Sequence, residues 1–474
     1  MNDKYDIVIG LEVHAELKTN SKVFCSCANA FGSEPNTNCC PVCIGLPGAL
    51  PVLNKKAVEL TIKAGLCMGC DINKTAVFER KNYFYPDLSK AYQISQLVKP
   101  ICVGGGIWVN DRKKFIRLDR IHLEEDAGKL IHKNEQIGTL IDYNRGGVPL
   151  IEMVSMPDMS SGDEAIEFLN GLRDNLIYAG IADCKMEQGG MRCDVNISVK
   201  PKGSSVLGIR TEMKNLNSFK SVTRAIEYES NRQIELIENG EKIKQETRKW
   251  DDEKGKSISL RSKENSQDYR YFPDPDLLAV NIDDSLVEEI RKTIPVLPQD
   301  RKCKYINEYK LSEYDAEQLI AKKEISDFFD STIKNYNQPK KVANWIMTEI
   351  IKYVTTAYEQ TIIPVSVEDF SSILLMLDKN EISQQNAKKL LDFCANGQRG
   401  AKEIATKNNM LNNISSNEIE EAINEVIKLN SKAVEDYTSN PEKVLSFFVG
   451  QVMRLTKGKA NANQVKELLQ ARLK

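Results

Sequence analysis

The pattern of apolar and polar positions changes character near residue 295. Before that point the two kinds alternate with period two between Gly- and Pro-containing turns, which predicts a strand-rich body with some helices. After Ile294-Pro-Val-Leu-Pro298 glycines become scarce, and Lys, Glu, Leu and Ala dominate from 301 to 405, which predicts helices. A break is expected over Asn408 to Asn413. Further helices follow, including Asn417–Asn430 and the stretch from Gln464. No internal repeat or long low-complexity segment interrupts this order. The expected fold class is α+β, with a strand-rich domain over 1–295, a helical domain over 296–405 and a small helical tail over 406–474.

Four of the expected strands share one feature. In Leu11-Glu12-Val13-His14-Ala15-Glu16-Leu17 the odd positions are apolar, and Glu12, His14 and Glu16 face the other way. In Arg192-Cys-Asp194-Val-Asn196-Ile-Ser198-Val-Lys200 the even positions carry every charged or amide group. Arg210, Glu212 and Lys214 alternate with Ile209, Thr211 and Met213, and Arg120-Ile-His122-Leu-Glu124-Glu125-Asp126 alternates until it ends in three carboxylates. Alternate side chains of a strand lie on one face, so a sheet of these strands has one apolar and one densely ionised face. A solvated antiparallel sheet also alternates. Here, however, Glu, His, Asp and Asn recur together, and their oxygens are the usual ligands of hard cations. The metal this implies is Mg²⁺, held by carboxylates and substrate phosphates with His as an auxiliary ligand.

Composition narrows the class. The chain has 474 residues, 41% hydrophobic and 28% charged, and a net charge of −2, which describes an ordinary soluble protein of two or three domains. The charge is unevenly placed: from residue 331 onward there are 19 Lys/Arg against 16 Asp/Glu, a weak excess with the right sign for a segment that touches phosphate. The last 21 residues hold Arg454, Lys457, Lys459, Lys466, Arg472 and Lys474 against Glu467 alone, with Gly458 and Asn461 expected to break the helix there. The charged N-terminus lacks a signal-peptide core, and no apolar run approaches the ~20 residues a membrane helix needs, so a cytoplasmic protein without a membrane partner is expected.

In that compartment the 12 cysteines read as thiols or metal ligands. Cys25-Ser-Cys27 and Cys40-Pro-Val-Cys43 form two close pairs of the kind that build structural Cys₄ zinc sites; Cys39 leaves the register ambiguous, but only Cys40 makes a CxxC with Cys43. Cys67-Met-Gly-Cys70 has no partner pair and reads as packing. Other machinery is missing. Trp250 stands where a P-loop ending at Gly255-Lys-Ser257 needs its first glycine, and Gly104-Gly-Gly106 reads as a hairpin turn. The only histidines, His14, His122 and His132, lie near the carboxylate-rich strands, which leaves no base for a cysteine glutaminase.

Several long motifs resemble one family. Gly10-Leu-Glu-Val-His-Ala-Glu-Leu17, Arg80-Lys-Asn-Tyr-Phe-Tyr-Pro-Asp87, Lys90-Ala-Tyr-Gln-Ile-Ser-Gln96 and His122-Leu-Glu-Glu-Asp-Ala-Gly-Lys129 carry the resemblance in the first third. Asp142-Tyr-Asn-Arg-Gly-Gly-Val-Pro-Leu-Ile-Glu152, Met191-Arg-Cys-Asp-Val-Asn-Ile-Ser198, Glu212-Met-Lys-Asn-Leu-Asn-Ser-Phe219, Gln245-Glu-Thr-Arg248, Asp268-Tyr-Arg-Tyr-Phe-Pro-Asp-Pro-Asp276 and Gly450-Gln-Val-Met-Arg-Leu-Thr-Lys-Gly-Lys-Ala-Asn461 continue it in order. The chain resembles the B subunits of tRNA-dependent amidotransferases over its whole length.

The resemblance implies a glutamine-synthetase-like cradle, an all-α domain and a tRNA-binding tail. It implies a heterotrimer with two partners, the glutaminase (amidase) or A chain and the small C chain. The activity it implies is ATP-dependent amidation of misacylated Glu-tRNA(Gln), Asp-tRNA(Asn) or both. Carried over residue by residue, Glu12, His14, Glu125 and Glu152 are the expected Mg²⁺ ligands. Alternation alone does not choose Glu125 over Glu124; the resemblance favours Glu125. Lys81 and Lys90 are expected near the ammonia route and the phosphates, and Arg192, Asp194, Asn196, Glu212 and Lys214 at the nucleotide and metal. Cys25, Cys27, Cys40 and Cys43 are the expected structural Zn²⁺ ligands.

Overall fold

The computed structural model describes residues 4–132, 138–262, 269–357, 360–412, 416–435, 437, 441–456, 460 and 462–473. The chain forms two compact units, Met1–Gln299 and Asp300–Lys474. It is mixed: one large sheet with packed helices in the first unit, and mostly helices in the second.

The large sheet is built from β1 (Tyr5–Glu16), β2 (Asp71–Ile72), β3 (Cys102–Val103), β4 (Gly106–Val109), β5 (Lys114–Glu125), β6 (Pro149–Ser155), β7 (Met191–Pro201), β8 (Thr211–Leu216), β9 (Glu246–Asp251) and β10 (Lys256–Ser262). Their spatial order is β10-β9-β8-β7-β1-β6-β5-β3-β2, and β4 also pairs with β5. β1 therefore sits centrally, antiparallel to β6 on one side and to β7 on the other. Among the described residues only β8 and β9 run parallel. They are joined through helix Phe219–Glu238, since a parallel pair cannot be closed by a tight turn.

The triple glycine is not a hairpin turn. β3 and β4 follow the same partner in unbroken register, Val103 opposite Arg120 and Gly106 opposite Arg117. Gly104 and Gly105 kink the strand with positive φ, and a Cβ on Gly105 would lie 2.6 Å from the Met68 carbonyl oxygen.

The apolar face carries the core. Ile9, Leu11, Val13 and Ala15 of β1 are at most 1% exposed. Packed on this face are α1 (Lys55–Cys67), α2 (Gly162–Tyr178) and α3 (Phe219–Glu238). Each begins on a polar cap: Asn54 accepts from the Lys56 and Ala57 amides, Ser161 from Glu164 and Ser218 from Ser221. Full burial of one face leaves the other for polar groups, which is what a functional surface on a rigid sheet requires.

In the second unit α4 (Glu313–Ile320), α5 (Lys323–Asn335), α6 (Pro339–Thr348), α7 (Val367–Asp378), α8 (Gln384–Ala395) and α9 (Ala401–Lys407) share one apolar cluster from Tyr305 to Met410. A short antiparallel pair, Thr355–Ala357 with Gln360–Ile362, interrupts the helices; its threonines and Ile362 suit extended backbone. A separate cluster from Ile419 to Leu469 is formed by α10 (Ser416–Leu429), α11 (Pro441–Leu455) and α12 (Ala462–Leu473).

Candidate active site

The ionised face is organised in rows. Across the sheet His122 lies opposite Glu152, Glu152 opposite His14, and His14 opposite Arg192. Strand partners share a face, so this row brings side chains from β5, β6, β1 and β7 together. His14 Nε2 stands 3.6 Å from both Glu124 Oε1 and Glu152 Oε2, and His122 Nε2 stands 3.2 Å from Glu152 Oε2 and 3.5 Å from Glu124 Oε2. His14, Glu124 and Glu152 offer ligand atoms within 4.8 Å of one another.

One step along β1, Glu12 lies opposite Asp194, and Asn196 lies opposite Glu212. Glu12, Asp194 and Glu212 form a second group with ligand atoms within 4.8 Å. Asn196 donates to Glu12 Oε1 at 2.8 Å, Thr247 donates to Glu212 at 2.7 Å, and Lys214 Nζ bridges Asp194 (2.5 Å) and Glu212 (3.2 Å). The expected set Glu12, His14 and Glu152 is thus divided between two neighbouring groups.

Glu125 is placed differently from the sequence expectation and stands outside both groups. It follows Glu124 on the strand, and successive side chains point to opposite faces. Its carboxylate accepts from Lys90 Nζ at 2.5 Å and from the Ile94 amide at 2.9 Å. The segment Lys90–Gln96 is bonded along the end of β5. Gln93 donates to the Glu125 carbonyl, Ser95 to Glu124 Oε2 and the Leu123 amide to Gln96 Oε1. Two motifs that are distant in sequence therefore form one substructure, in which Lys90 and Glu125 position Glu124. Glu124 and His122 lie against His14 and Glu152 although they were not among the expected residues. Both share parity with Arg120, but the run of three carboxylates at 124–126 hides that parity in the sequence.

The electrostatics follow from burial. For Glu152 burial is the largest influence and opposes ionisation, yet His122 and His14 hold its carboxyl well below the usual range. Burial pulls both imidazoles down, but Glu152 and Glu124 outweigh it, lifting His122 to about 9 and His14 above its ordinary value. These side chains therefore form a carboxylate–imidazole cluster whose charges balance. Lys81 lies over the rings of Tyr269 (5.0 Å) and Tyr83 (5.9 Å). Burial lowers its pKa, but Tyr271, Glu124 and Glu152 raise it further, so it stays charged. Arg192 pairs with Asp126 at 2.9 Å.

The two groups fit hard divalent cations: three carboxylates in one, two carboxylates and an imidazole in the other, with positive side chains beside each. The cysteines make a donor set of another kind. Cys25, Cys27, Cys40 and Cys43 lie within 4.8 Å of one another, and Cys27 Sγ is 4.0 Å from Cys43 Sγ. Hydrogen bonding from Cys25, with the Cys40 amide and Lys22 adding to it, pulls the Cys43 thiol down to about 4, whereas burial pushes Cys27 up to about 11. Lys22, fully buried, lies 3.6 Å from Cys43 Sγ and can balance thiolate charge. Cys39 instead faces Asn144, and Cys70 donates to the Gly104 carbonyl.

In the tail Arg454 and Lys466 are exposed, and Arg472 pairs with Glu420 at 3.1 Å. Lys457, Gly458, Lys459, Asn461 and Lys474 lie outside the described residues. Among the described residues no helix is long and apolar enough to cross a membrane.

Two family models match the chain: the GatB/GatE catalytic domain over residues 7–288 and the GatB domain over 327–473. Relatives named as the B subunits of aspartyl/glutamyl-tRNA(Asn/Gln) amidotransferases match it end to end. The one from Caldicellulosiruptor bescii is 50% identical over 476 residues, covering 99% of each chain. That from Carboxydothermus hydrogenoformans is 46% identical with the same coverage, and that from Thermodesulfovibrio yellowstonii is 48% identical over 98% of each chain.

Proposed function

The chain belongs to the family of aspartyl/glutamyl-tRNA(Asn/Gln) amidotransferase B subunits, and on that premise we propose that its ionised sheet face activates the side-chain carboxylate of Glu-tRNA(Gln), Asp-tRNA(Asn) or both with ATP. The observation that carries this reading is the pair of ligand groups, His14/Glu124/Glu152 and Glu12/Asp194/Glu212, side by side on one rigid face.

A carboxylate is a poor electrophile because an attacking amine would have to expel oxide. One of its oxygens therefore attacks the γ-phosphorus of ATP, and ADP departs with the electrons of the broken P–O bond. Ammonia then attacks the acyl carbon, a proton leaves the nitrogen, and inorganic phosphate is released as the amide forms. Phosphoryl transfer of this kind depends mainly on positioning and charge neutralisation. Bound Mg²⁺ would supply the neutralisation between the phosphates and the carboxylates.

The protein's own residues do the rest. Glu152 holds His14 and His122 in place, Lys90 anchors Glu125 and so fixes the phase of Glu124, and Lys81 brings a retained positive charge to the same cluster. Arg192, Asp194, Asn196, Glu212 and Lys214 line the nucleotide side. The Glu124 group replaces the expected Glu125 as the metal carboxylate. The four cysteines hold a structural Zn²⁺ with no part in the chemistry; tetrahedral thiolate sites are closed and rigid.

The sheet serves as a glutamine-synthetase-like cradle, residues 296–405 as a helical domain and 406–474 as the tRNA-gripping tail. The chain works in a cytoplasmic heterotrimer with the glutaminase (amidase) or A chain and the small C chain. It lacks glutaminase machinery of its own, so by itself it should amidate charged tRNA with ammonium salts but not with glutamine. Glutamine-dependent product from the isolated chain would overturn the division of labour.

A further inference from the structure

The segment Gln245-Glu-Thr-Arg248 supplies no ligand to either carboxylate group, yet its last three residues open β9 and are bonded on both faces of the sheet. On the face that carries α3, Arg248 donates to Glu246 at 2.5 Å and to Ser257 Oγ at 2.7 Å, and it lies 3.8 Å from Glu229, which is fully buried. Successive strand residues point to opposite faces, so Thr247 is turned to the polar one. There it is 2% exposed and donates through Oγ1 to Glu212 Oε2 at 2.7 Å.

The register that makes this contact is held at two places. β8 and β9 run parallel with Glu212 directly opposite Thr247, so the two side chains share a face. On its other edge β8 carries a bulge. Cys193 pairs with Leu216 and Val195 with Met213, which leaves Asp194 alone to face both Lys214 and Asn215. Asn215 takes the left-handed conformation that the extra residue needs, with φ of 68°, and its Nδ2 donates to the Trp250 carbonyl of β9 at 2.9 Å. Asn adopts that conformation more readily than most residues because its short amide can bond locally. The bulge thus returns Leu216 to the core, sets Lys214 beside Asp194, and ties β8 to β9 by a side chain.

We propose that Thr247 is a positioning residue for the Glu12/Asp194/Glu212 group. The proposal rests on the reading of those carboxylates as a divalent-cation site. With Oε2 taken by Thr247, Oε1 is the oxygen that meets Lys214 at 3.2 Å, and Lys214 in turn meets Asp194 at 2.5 Å. The carboxylate is therefore held in one rotation before any cation arrives, with Oε1 on the side of its partners. A hydrogen bond to an ionised group is the strong kind, and a partner that orients a metal ligand commonly governs affinity for the metal. Thr suits the task because its β-branched side chain is stiff at χ1 and at home in a strand, so the hydroxyl keeps one direction.

The test uses the assembled complex and Mn²⁺, with binding followed by electron paramagnetic resonance. Thr247→Val keeps the shape and suits a strand but removes the hydroxyl, and it should weaken Mn²⁺ binding by about tenfold or more at one class of site. Thr247→Ser should recover most of that affinity. In amidation assays Thr247→Val should need about tenfold more Mg²⁺ for half-maximal rate, approach the parental rate at saturating Mg²⁺, and leave the KM for charged tRNA unchanged. A residue that served packing alone would move none of these readouts, since Val restores the packing. Should Thr247→Val fail to assemble, Thr247→Ala deletes the same hydroxyl and carries the same expectation. Asp194→Asn separates this proposal from the reading beneath it. If Asp194→Asn weakens Mn²⁺ binding while the variants without the hydroxyl bind like the parent, only the role of Thr247 fails. If Asp194→Asn leaves Mn²⁺ binding unchanged, the reading of the carboxylates fails as well.

Discussion

His122 Nε2 lies 3.2 Å from Glu152 Oε2, directly across the ladder between β5 and β6. That pairing fixes the phase of β5: the strand face that presents His122 presents Glu124 and turns Glu125 away. The two adjacent glutamates therefore differ in kind. Glu124→Gln removes a ligand from the His14/Glu152 group and should lower ATP-dependent amidation by about a hundredfold or more, with assembly, glutaminase activity and tRNA binding retained. Glu125→Gln breaks a buried ion pair with Lys90 and should destabilise the unit by roughly 1–3 kcal/mol. Steady-state rates and thermal melts on both variants give the comparison; equal losses of rate at equal stability would contradict the assignment.

Zinc removal should affect stability without altering the chemistry. Protein purified without chelator should contain about one zinc per chain, and Cys27→Ser or Cys40→Ser should lose it. Thiolate sites couple ~10–16 kcal/mol of metal binding to local folding, so these variants should melt well below the parent. Elemental analysis that finds no zinc in the parent would remove the assignment.

The polar face of the large sheet was legible in the sequence. Alternation in 11–17 and 192–200 shows one polar face because β1 and β7 lie side by side at the centre of the sheet, fully buried on the other face. The clustering of the four cysteines was legible because the two pairs are local in sequence. Glu124 was not singled out, because alternation did not choose between the two adjacent glutamates and a motif match that spans both cannot say which faces in. The bonds from Lys90–Ser95 to the end of β5 were not legible, since they cross about 30 residues and leave no periodic trace. The strand kink at Gly104–Gly105 was missed because a glycine run marks positive φ without saying whether the chain reverses.

Glu16 offers a pH test. Burial and the nearby Asp126 raise its carboxyl from 4.5 to about 7, with Arg192 and Arg145 opposing. Between those values the folded state holds a proton that the unfolded chain has released, so the group's contribution to stability is greatest below about 4.5 and falls as pH rises to about 7. Glu16→Gln should therefore gain stability relative to the parent above pH 7 and lose that advantage below pH 5. Parallel denaturation midpoints at both pH values would contradict the shift.

The proposed role of the tail is to grip the tRNA body. The activated group is one amino acid at the 3′ end, so discrimination among charged tRNAs needs recognition far from the chemistry. Arg454 and Lys466 are exposed on α11 and α12 of the tail cluster. Replacing both with Glu should raise the tRNA KM and lower the log–log salt slope by about 1 for each phosphate no longer touched, with glutaminase activity intact. An unchanged salt slope would place recognition elsewhere.

The proposed chemistry of this sheet face is the making of an acyl phosphate on the charged tRNA. It is tested most directly with the assembled complex, Glu-tRNA(Gln) and γ-labelled ATP, with neither ammonia nor glutamine present and hydroxylamine added to trap the acyl phosphate as the side-chain hydroxamate, separated from the α-hydroxamate that the aminoacyl ester gives without ATP. Wild type should form the hydroxamate in step with ADP, and Glu124→Gln and Glu152→Gln should form almost none while still binding the tRNA. Wild-type yields from either variant would contradict the account.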